Sequence, residues 1–348
     1  MRLARSLAGP LDRPRIVGEL MPMNSCGFEF QAMSSACTIR LDALAGGSEA
    51  ALAAAAQLAI AEVRRIETKY TRYRADSIVS RINAAAGGGE AVEVDNETAS
   101  LLDFAGMLHE LSDGLFDITS GVLRRAWDFR AGRLPEPGVL AALLPLIGWQ
   151  QVEWSHQNGQ ARRIHLPRPG MELDFGGFGK EYAADRAMAV LADAGQAHGF
   201  VNLGGDIRVL GPRADGSAWR FGIQHPRRVD TTDATNATTA TIASVDMLEG
   251  ALASSGDYER FFEQGGRRYC HILDPRSGWP VNSWASISVT APACVAAGAL
   301  STIAMLKGSD ALEFLATQGA TCLAVDTAMN TFHPGPPQGR RFVCGENE

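Results

Sequence analysis

The 348 residues contain little that would hold a metal through sulfur or imidazole, grip a polyanion or enter a membrane. Six cysteines, Cys26, Cys37, Cys270, Cys294, Cys322 and Cys344, stand apart without CxxC spacing. That excludes a zinc ribbon and a disulfide framework, and predicts reduced thiols. The seven histidines are dispersed and form no HExxH, so a histidine-built metal site is not expected. Positive charge is in deficit: 32 Lys and Arg against 39 Asp and Glu give a formal net charge of −7. Without a basic field, neither nucleic acid nor an anionic membrane surface is an expected partner. No stretch approaches the roughly 18 apolar residues of a transmembrane segment. The N-terminus opens with Arg2 and Arg5, but prolines and charges interrupt it before an apolar run of about 7 to 15 residues can form. This predicts no signal peptide and a cytoplasmic location, with export or membrane association as the alternative if translation starts upstream. Asn24-Ser25-Cys26-Gly27 likewise lacks the preceding hydrophobic segment of a lipoprotein cleavage site.

What is present is the composition of a globular protein, 46% hydrophobic and 20% charged, with room for a sizeable core. From Ser48 to Tyr70, apolar residues recur at three and four (Leu52, Ala56, Ala59, Val63, Ile66), which predicts a helix. A second helix is expected from Asp95 as N-cap to Gly114, with a short strand, Ala91 to Val94, before it. A strand and loop around Glu172 to Lys180 should lead into a helix from Tyr182 to Ala194. Two strands, Phe200 to Leu203 and Ile207 to Leu210, flank a Gly-Gly turn. The stretch Val229 to Ala240 reads as a loop or frayed hairpin, and its Asn236-Ala237-Thr238 sequon as a chance triplet. Strands follow at Thr241 to Val245, Ser286 to Thr290 and Thr321 to Val325, with helices at Cys294 to Lys307 and Ser309 to Gln318. Helices and strands mix without βαβ repetition, so the fold class is α+β. Residues 1–28 read as an N-terminal extension, 29–335 as one unit with two lobes, and 336–348 as a C-terminal tail.

The familiar nucleotide fingerprints fail. Asp174-Phe175-Gly176-Gly177-Phe178-Gly179-Lys180-Glu181 departs from a P-loop at both ends, no GxGxxG follows a strand, and no GxSxG occurs. Five clusters of Gly, Asp, Ser, Asn and His remain, at 72–83, 114–127, 173–185, 201–207 and 254–278, all expected in loops. Each alone has an ordinary turn reading, Gly-Leu-Phe-Asp as a helix C-cap or Asn-Leu-Gly-Gly-Asp as a hairpin.

Their order and wording together resemble the ApbE family of flavin transferases from about Phe30 to Gly308. Ala32-Met33-Ser34-Ser35 is similar to the family's opening Met-Gly-Thr strand, and Ser77 to Asn83 to its Ser-x-x-x-x-x-Asn phrase. Gly114-Leu115-Phe116-Asp117-Ile118-Thr119, followed by Trp127, matches Gly-x-Phe-Asp-x-Thr. Asp174 to Asp185 resembles Asp-Leu-Gly-Gly-Ile-Ala-Lys-Gly-Tyr-Ala-x-Asp. Asn202 to Asp206 and Ser255 to Tyr258 keep Asn-x-Gly-Gly-Asp and Ser-Gly-Asp-Tyr, and His271 to Gly278 is similar to His-Ile-x-Asp-Pro-x-Thr-Gly.

The resemblance implies a two-lobed, T-fold-like architecture of mixed or antiparallel sheets with flanking helices, and FAD in a cleft between the lobes. The positions it carries over for FAD are Met33, Tyr73, Leu115, Phe116, Asp117, Asp174, Lys180, Asn202, Gly204, Gly205, Asp206, Ser255, His271, Leu273 and Asp274. Met33 and Tyr73 would offer surface to a ring system, Lys180 a point charge near the diphosphate, and Gly204 and Gly205 close backbone approach. The implied reaction is attack by a threonine or serine hydroxyl of an acceptor protein on the FAD diphosphate, attaching FMN and releasing AMP, with Lys180 and Thr302 acting in the transfer. Mg²⁺ would be held by the Gly177 carbonyl and a late helix through Ser301 and Thr302.

Two positions depart from the pattern. Gly298 stands where the family's late helix has aspartate, and Glu181 where Gly is usual. Neutral oxygens alone hold Mg²⁺ weakly, and Gly in a helix interior costs about 1 kcal/mol relative to Ala. Glu181 would then pair with Lys180 or partly substitute as a ligand. The readings left open are an FAD:protein FMN transferase, an FAD-binding protein without transferase activity, an FAD pyrophosphatase using water as acceptor, and an unrelated binding module.

Overall fold

A computed structural model of the protein describes residues 15–16, 25–43, 47–155, 162–227, 241–334 and 342–344. In chain order the first half contains β1 (Arg15–Ile16), β2 (Ser25–Ala32), β3 (Ser35–Asp42), α1 (Glu49–Tyr70), α2 (Ile78–Ala84), β4 (Val92–Glu93), α3 (Asn96–Leu111), α4 (Val139–Leu143), β5 (Glu153–Ser155) and β6 (Arg163–His165). The second half contains α5 (Gly179–Asp193), β7 (Gly199–Leu203), β8 (Asp206–Gly211), β9 (Trp219–Gln224), β10 (Thr241–Met247), β11 (Gly250–Gly256), β12 (Phe261–Gln264), β13 (Arg267–Cys270), β14 (Trp284–Ala291), α6 (Cys294–Lys307), α7 (Ala311–Thr317), β15 (Thr321–Asp326), β16 (Thr331–Phe332) and β17 (Phe342–Cys344).

Nine strands form one sheet in the order β1-β2-β3-β7-β8-β11-β14-β15-β16. Every pairing in it is antiparallel, which fits the α+β expectation and removes its mixed-sheet alternative. Successive side chains of a strand point to opposite faces, and here both faces are covered. Val201, Ala251, Ala253, Cys322 and Ala324 join the main core with α1, α5 and α6. Their neighbours Phe200, Leu252, Leu323 and Val325 pack with Trp219, Phe221 and Val245 of a small β17-β10-β9 sheet on the other side. All eight residues of β14 are buried. Its polar side chains, Ser286, Ser288 and Thr290, alternate with Ile287, Val289 and Ala291, so here the alternation does not separate a buried face from an exposed one.

Local sequence explains the helices. Ser48 Oγ accepts from Ala51 N at 3.2 Å and starts α1, whose buried stripe of Leu52, Ala55, Ala56, Ala59, Val63 and Ile66 packs on α5. Asp95 caps α3 at Thr98 N, 2.8 Å, as expected. No strand forms over Glu172–Lys180, and α5 begins at Gly179 rather than Tyr182. The segment after Tyr70 contains α2, capped by Ser77, where only a polar loop was expected. Strands β9 and β11 and the β12–β13 hairpin were not anticipated. β1 pairs with β2, and β17 with β10, inside segments read as extension and tail. The loop and sequon expected at Val229 to Ala240 lie outside the described residues. Five described cysteines are free. Among the described residues no helix is long and apolar enough to cross a membrane.

Candidate active site

The loop entering α5 is clamped from two directions. The Asn83 side-chain amide donates to Leu173 O at 3.0 Å and accepts from Leu173 N at 2.7 Å, so the final Asn of the Ser-x-x-x-x-x-Asn phrase holds both backbone polar groups of the residue just before the Asp174–Asp185 phrase. Asp174 N donates to Ile118 O, its carboxylate accepts from Gly176 N at 2.9 Å, and its other oxygen pairs with Arg72. Gly177 lies against Phe116, whose Cζ would be 2.8 Å from a Cβ at that position. The turn therefore keeps its backbone pressed on an aromatic cluster of Phe116, Phe178 and Phe104.

Lys180, in the first turn of α5, donates to Asp206 Oδ2 at 2.7 Å across to the start of β8. Burial opposes the lysine charge, but Asp206, aided by Glu181 and Glu259, outweighs it and holds the ammonium above the usual lysine range. Burial pushes the Asp206 carboxyl up against the pull of Lys180. The turn before β8 is fixed by Asn202 Oδ1, which accepts from Gly205 N at 2.8 Å. Gly204 has φ +64°, and a Cβ there would sit 2.7 Å from the Ser35 side chain and 3.9 Å from Lys180 Nζ. Only glycine combines this backbone conformation with that close approach.

Beside Lys180, Glu181 is 7% exposed and its Oε2 has no hydrogen-bond partner. Burial, reinforced by Asp206, pushes its carboxyl above the usual carboxylate range. A Cβ on Gly298 of α6 would lie 2.5 Å from Glu181 Cγ and 2.6 Å from Oε1. The two departures from the expected pattern thus share one volume. One turn further along α6, Ser301 Oγ donates to Gly298 O at 3.0 Å, and Ser255 Oγ of β11 lies 2.8 Å from Ser301 Oγ and 2.9 Å from Thr302 Oγ1. Among the described residues no group of three or more His, Cys, Asp or Glu is arranged to hold a metal ion. A cation here would rest on one carboxylate, neutral oxygens and a substrate.

The remaining candidates divide. His271 is half-buried, its Nδ1 enclosed without a hydrogen-bond partner, and burial, then the charges of Arg260 and Lys180, lower its pKa to about 4. Asp274 caps its own loop by accepting from Arg276 N at 2.8 Å and from Ser277 Oγ at 3.2 Å, while Leu273 bridges to Pro280. Trp127 Nε1 donates to Gly278 O at 2.8 Å, joining that loop to the 114–127 phrase. The Asp117 carboxylate is committed internally: Oδ1 accepts from Thr119 N and Oγ1 at 2.8 and 2.6 Å, and Oδ2 from Trp149 N at 2.9 Å. Asp117, expected with Leu115 and Phe116 to meet the dinucleotide, thus has both carboxylate oxygens engaged within the protein. Met33 has φ +51° and donates its N–H to Glu67 at 2.6 Å. Tyr73 is 80% exposed, with the Arg72 guanidinium 4.9 Å from its ring centre.

Three contributors escaped the sequence reading. Arg72 anchors Asp174, and Arg227 grips the buried Asp257 with two bonds of 2.5 and 2.7 Å. Asp185, the last residue of the α5 phrase, accepts from Cys294 N and Val295 N, both at 2.9 Å, and pairs with Arg208 at 3.0 Å, so it caps α6 from outside that helix. Asp185→Ala is expected to destabilise the protein by about 2 kcal/mol, the upper end for loss of a helix cap. Urea denaturation checks this, and a loss under about 0.5 kcal/mol would show the cap to be dispensable. A cavity of about 770 Å³ lies at this end of α5, lined by Met188, Ala192, Arg208 and Pro292 among others, and no expected flavin-site residue borders it.

The ApbE family model matches residues 33–324, a span that holds every phrase described above except Ala32 at the start of the first. The chain belongs to the ApbE family. Among curated relatives, the FAD:protein FMN transferase of Haemophilus influenzae is 30% identical over 257 residues, covering 72% of each chain. One from Klebsiella pneumoniae is 33% identical over 223 residues, covering 64% of this chain and 65% of that protein. The crystal structure of the ApbE protein of Thermotoga maritima aligns with a TM-score of 0.75 at 30% identity, over 88% of this chain and 96% of that one. The flavin transferase ApbE from Vibrio cholerae aligns at 0.72 with 23% identity, over 93% and 98% of the two chains, a likeness of fold.

Proposed function

We propose that this ApbE protein transfers FMN from FAD to a threonine or serine hydroxyl of an acceptor protein and releases AMP. The observation that carries the reading is the Lys180–Asp206 pair at the α5 N-terminus, beside the hydroxyls of Ser255, Ser301 and Thr302 and the neutral ring of His271. The names of the curated relatives support the same reaction. The unit that carries it is residues 29–335, with FAD lying along the 115–117, 174–180, 202–206 and 271–274 segments.

The acceptor oxygen forms a bond to the phosphorus of the FMN half, the bond from that phosphorus to the bridging oxygen breaks, and its electron pair leaves with AMP. Lys180 meets the diphosphate as a fixed point charge. Because Asp206 holds the ammonium in place, little reorganisation is needed when charge develops. His271 takes the hydroxyl proton: burial, then the charges of Arg260 and Lys180, hold the free ring neutral, and a bound diphosphate offsets those charges and raises its basicity. The donors fit a hard cation, since the hydroxyls of Ser301 and Thr302 meet at Ser255 and the Gly177 carbonyl would add a further oxygen, with no soft ligand among them. Mg²⁺ bound there would neutralise charge on the diphosphate.

The test combines the purified protein with FAD, Mg²⁺ and a threonine-bearing acceptor domain, and follows AMP and acceptor mass. AMP with a mass gain of one FMN is the expected result. AMP without a mass gain would make the protein a pyrophosphatase, and retained FAD without AMP a flavin binder. His271→Ala is expected to slow AMP release at least about 100-fold while FAD affinity stays within about threefold. An equal fall in both would assign His271 to binding alone.

A further inference from the structure

We infer that Glu181 is the anionic ligand of a divalent cation in this protein, reaching from α5 into space that Gly298 leaves open on α6. The inference deepens the transferase reading and rests on it for the identity of the site. Three observations carry it. Glu181 is 7% exposed, yet Oε2 has no hydrogen-bond partner, an arrangement that buried polar groups avoid unless something absent from the chain completes it. Its carboxylate fills the place where any side chain at 298 would begin, with Cγ, Oε1 and Cδ at 2.5, 2.6 and 2.8 Å from a Cβ built there. Ser301 and Thr302 lie one helical turn along α6 from Gly298, with Ser301 Oγ bonded to Gly298 O and both hydroxyls tied to Ser255 at 2.8 and 2.9 Å, so oxygens able to ligate a hard cation share that face of α6.

Glycine inside α6 is unfavourable for the helix by itself. Its presence makes sense as a partner of Glu181: the carboxylate has moved from one helix to its neighbour, while the space it occupies is kept. The pattern that the resemblance implies for the family, Gly at 181 and Asp at 298, is the mirror image of what stands here. A glutamate on α5 has one methylene more than an aspartate on α6. The Lys180–Asp206 pair leaves Glu181 free for this, because Asp206 takes the ammonium at 2.7 Å.

The experiment titrates the full-length protein with Mn²⁺ alone, reading free Mn²⁺ by electron paramagnetic resonance, for wild type, Glu181→Gln, and the reciprocal pair Glu181→Gly with Gly298→Asp. Wild type should bind saturably, Glu181→Gln should lose about 10- to 100-fold in affinity, and the reciprocal pair should recover most of that loss. Unchanged affinity in Glu181→Gln, absence of saturable binding in wild type, or a reciprocal pair no better than Glu181→Gln would each overturn the assignment. Should Glu181→Gln fail to fold, recovery in the reciprocal pair decides alone. The two readings also fail separately. Mn²⁺ affinity that follows Glu181 in a protein releasing no AMP from FAD upholds the ligand and removes the transferase. AMP release indifferent to Glu181→Gln overturns the ligand and leaves the transferase standing.

Discussion

Lys180→Met is expected to cut AMP release from FAD by about 10²- to 10³-fold, the range for removing one preorganised charge-stabilising donor, and to destabilise the fold as well. Both effects have one source. The ammonium lies 2.7 Å from Asp206, a side chain only 5% exposed, and removing it leaves that carboxylate buried without its partner. Breaking a buried pair typically costs about 3 to 5 kcal/mol, and the low end applies because a third of the Lys180 side chain reaches solvent. Asp206→Asn separates the two effects. It keeps the cation while weakening its anchor, so transfer should fall less than in Lys180→Met. Single-turnover AMP release with urea denaturation on each variant is the measurement. AMP release by Lys180→Met within about threefold of wild type would remove the lysine from the transfer step.

Legibility in the sequence followed the reach of each interaction. Helices α1 and α3 were readable because their caps, Ser48 and Asp95, and their apolar stripes lie within a few residues of one another. Helix α2 was missed although Ser77 caps it by the same chemistry, since only Val79 and Ile82 in its seven residues are buried and no period is visible. Strand β11, Gly-Ala-Leu-Ala-Ser-Ser-Gly, has little β-branched character. It holds its place through β8 and β14 on either side, and no local signal reports that. The paired edges β1 and β17 escaped for the same reason. At the site, the phrases named the right positions but not what binds them together. Asn83 to Leu173, Arg72 to Asp174, Asp185 to the start of α6 and Trp127 to Gly278 are contacts over 90 to 151 residues. Two carboxylates of these phrases, Asp117 and Asp274, accept from N–H groups of their own loops, and Asp117 also from Trp149 N. Composition alone cannot separate such a cap from a ligand-facing acid, because both want a short carboxylate in a turn.

Gly298→Asp in the otherwise natural chain is expected to be a damaging change, although by sequence it restores the family's residue. Two costs meet at one point. The new Cβ would stand 2.5 Å from Glu181 Cγ, and Glu181 is too enclosed to swing clear, so one helix or the other must shift; overpacking of this kind costs about 1 to 3 kcal/mol. A second carboxylate would then share a buried space with the first, and like charges that close raise each other's pKa or separate. We therefore expect a loss of about 3 kcal/mol or more in urea denaturation and no gain in AMP release. Adding Glu181→Gly to the same chain removes both costs, so the double variant should regain most of the stability, and the two substitutions should be strongly non-additive. Additive effects would mean that positions 181 and 298 act independently, and that the open space on α6 has another cause.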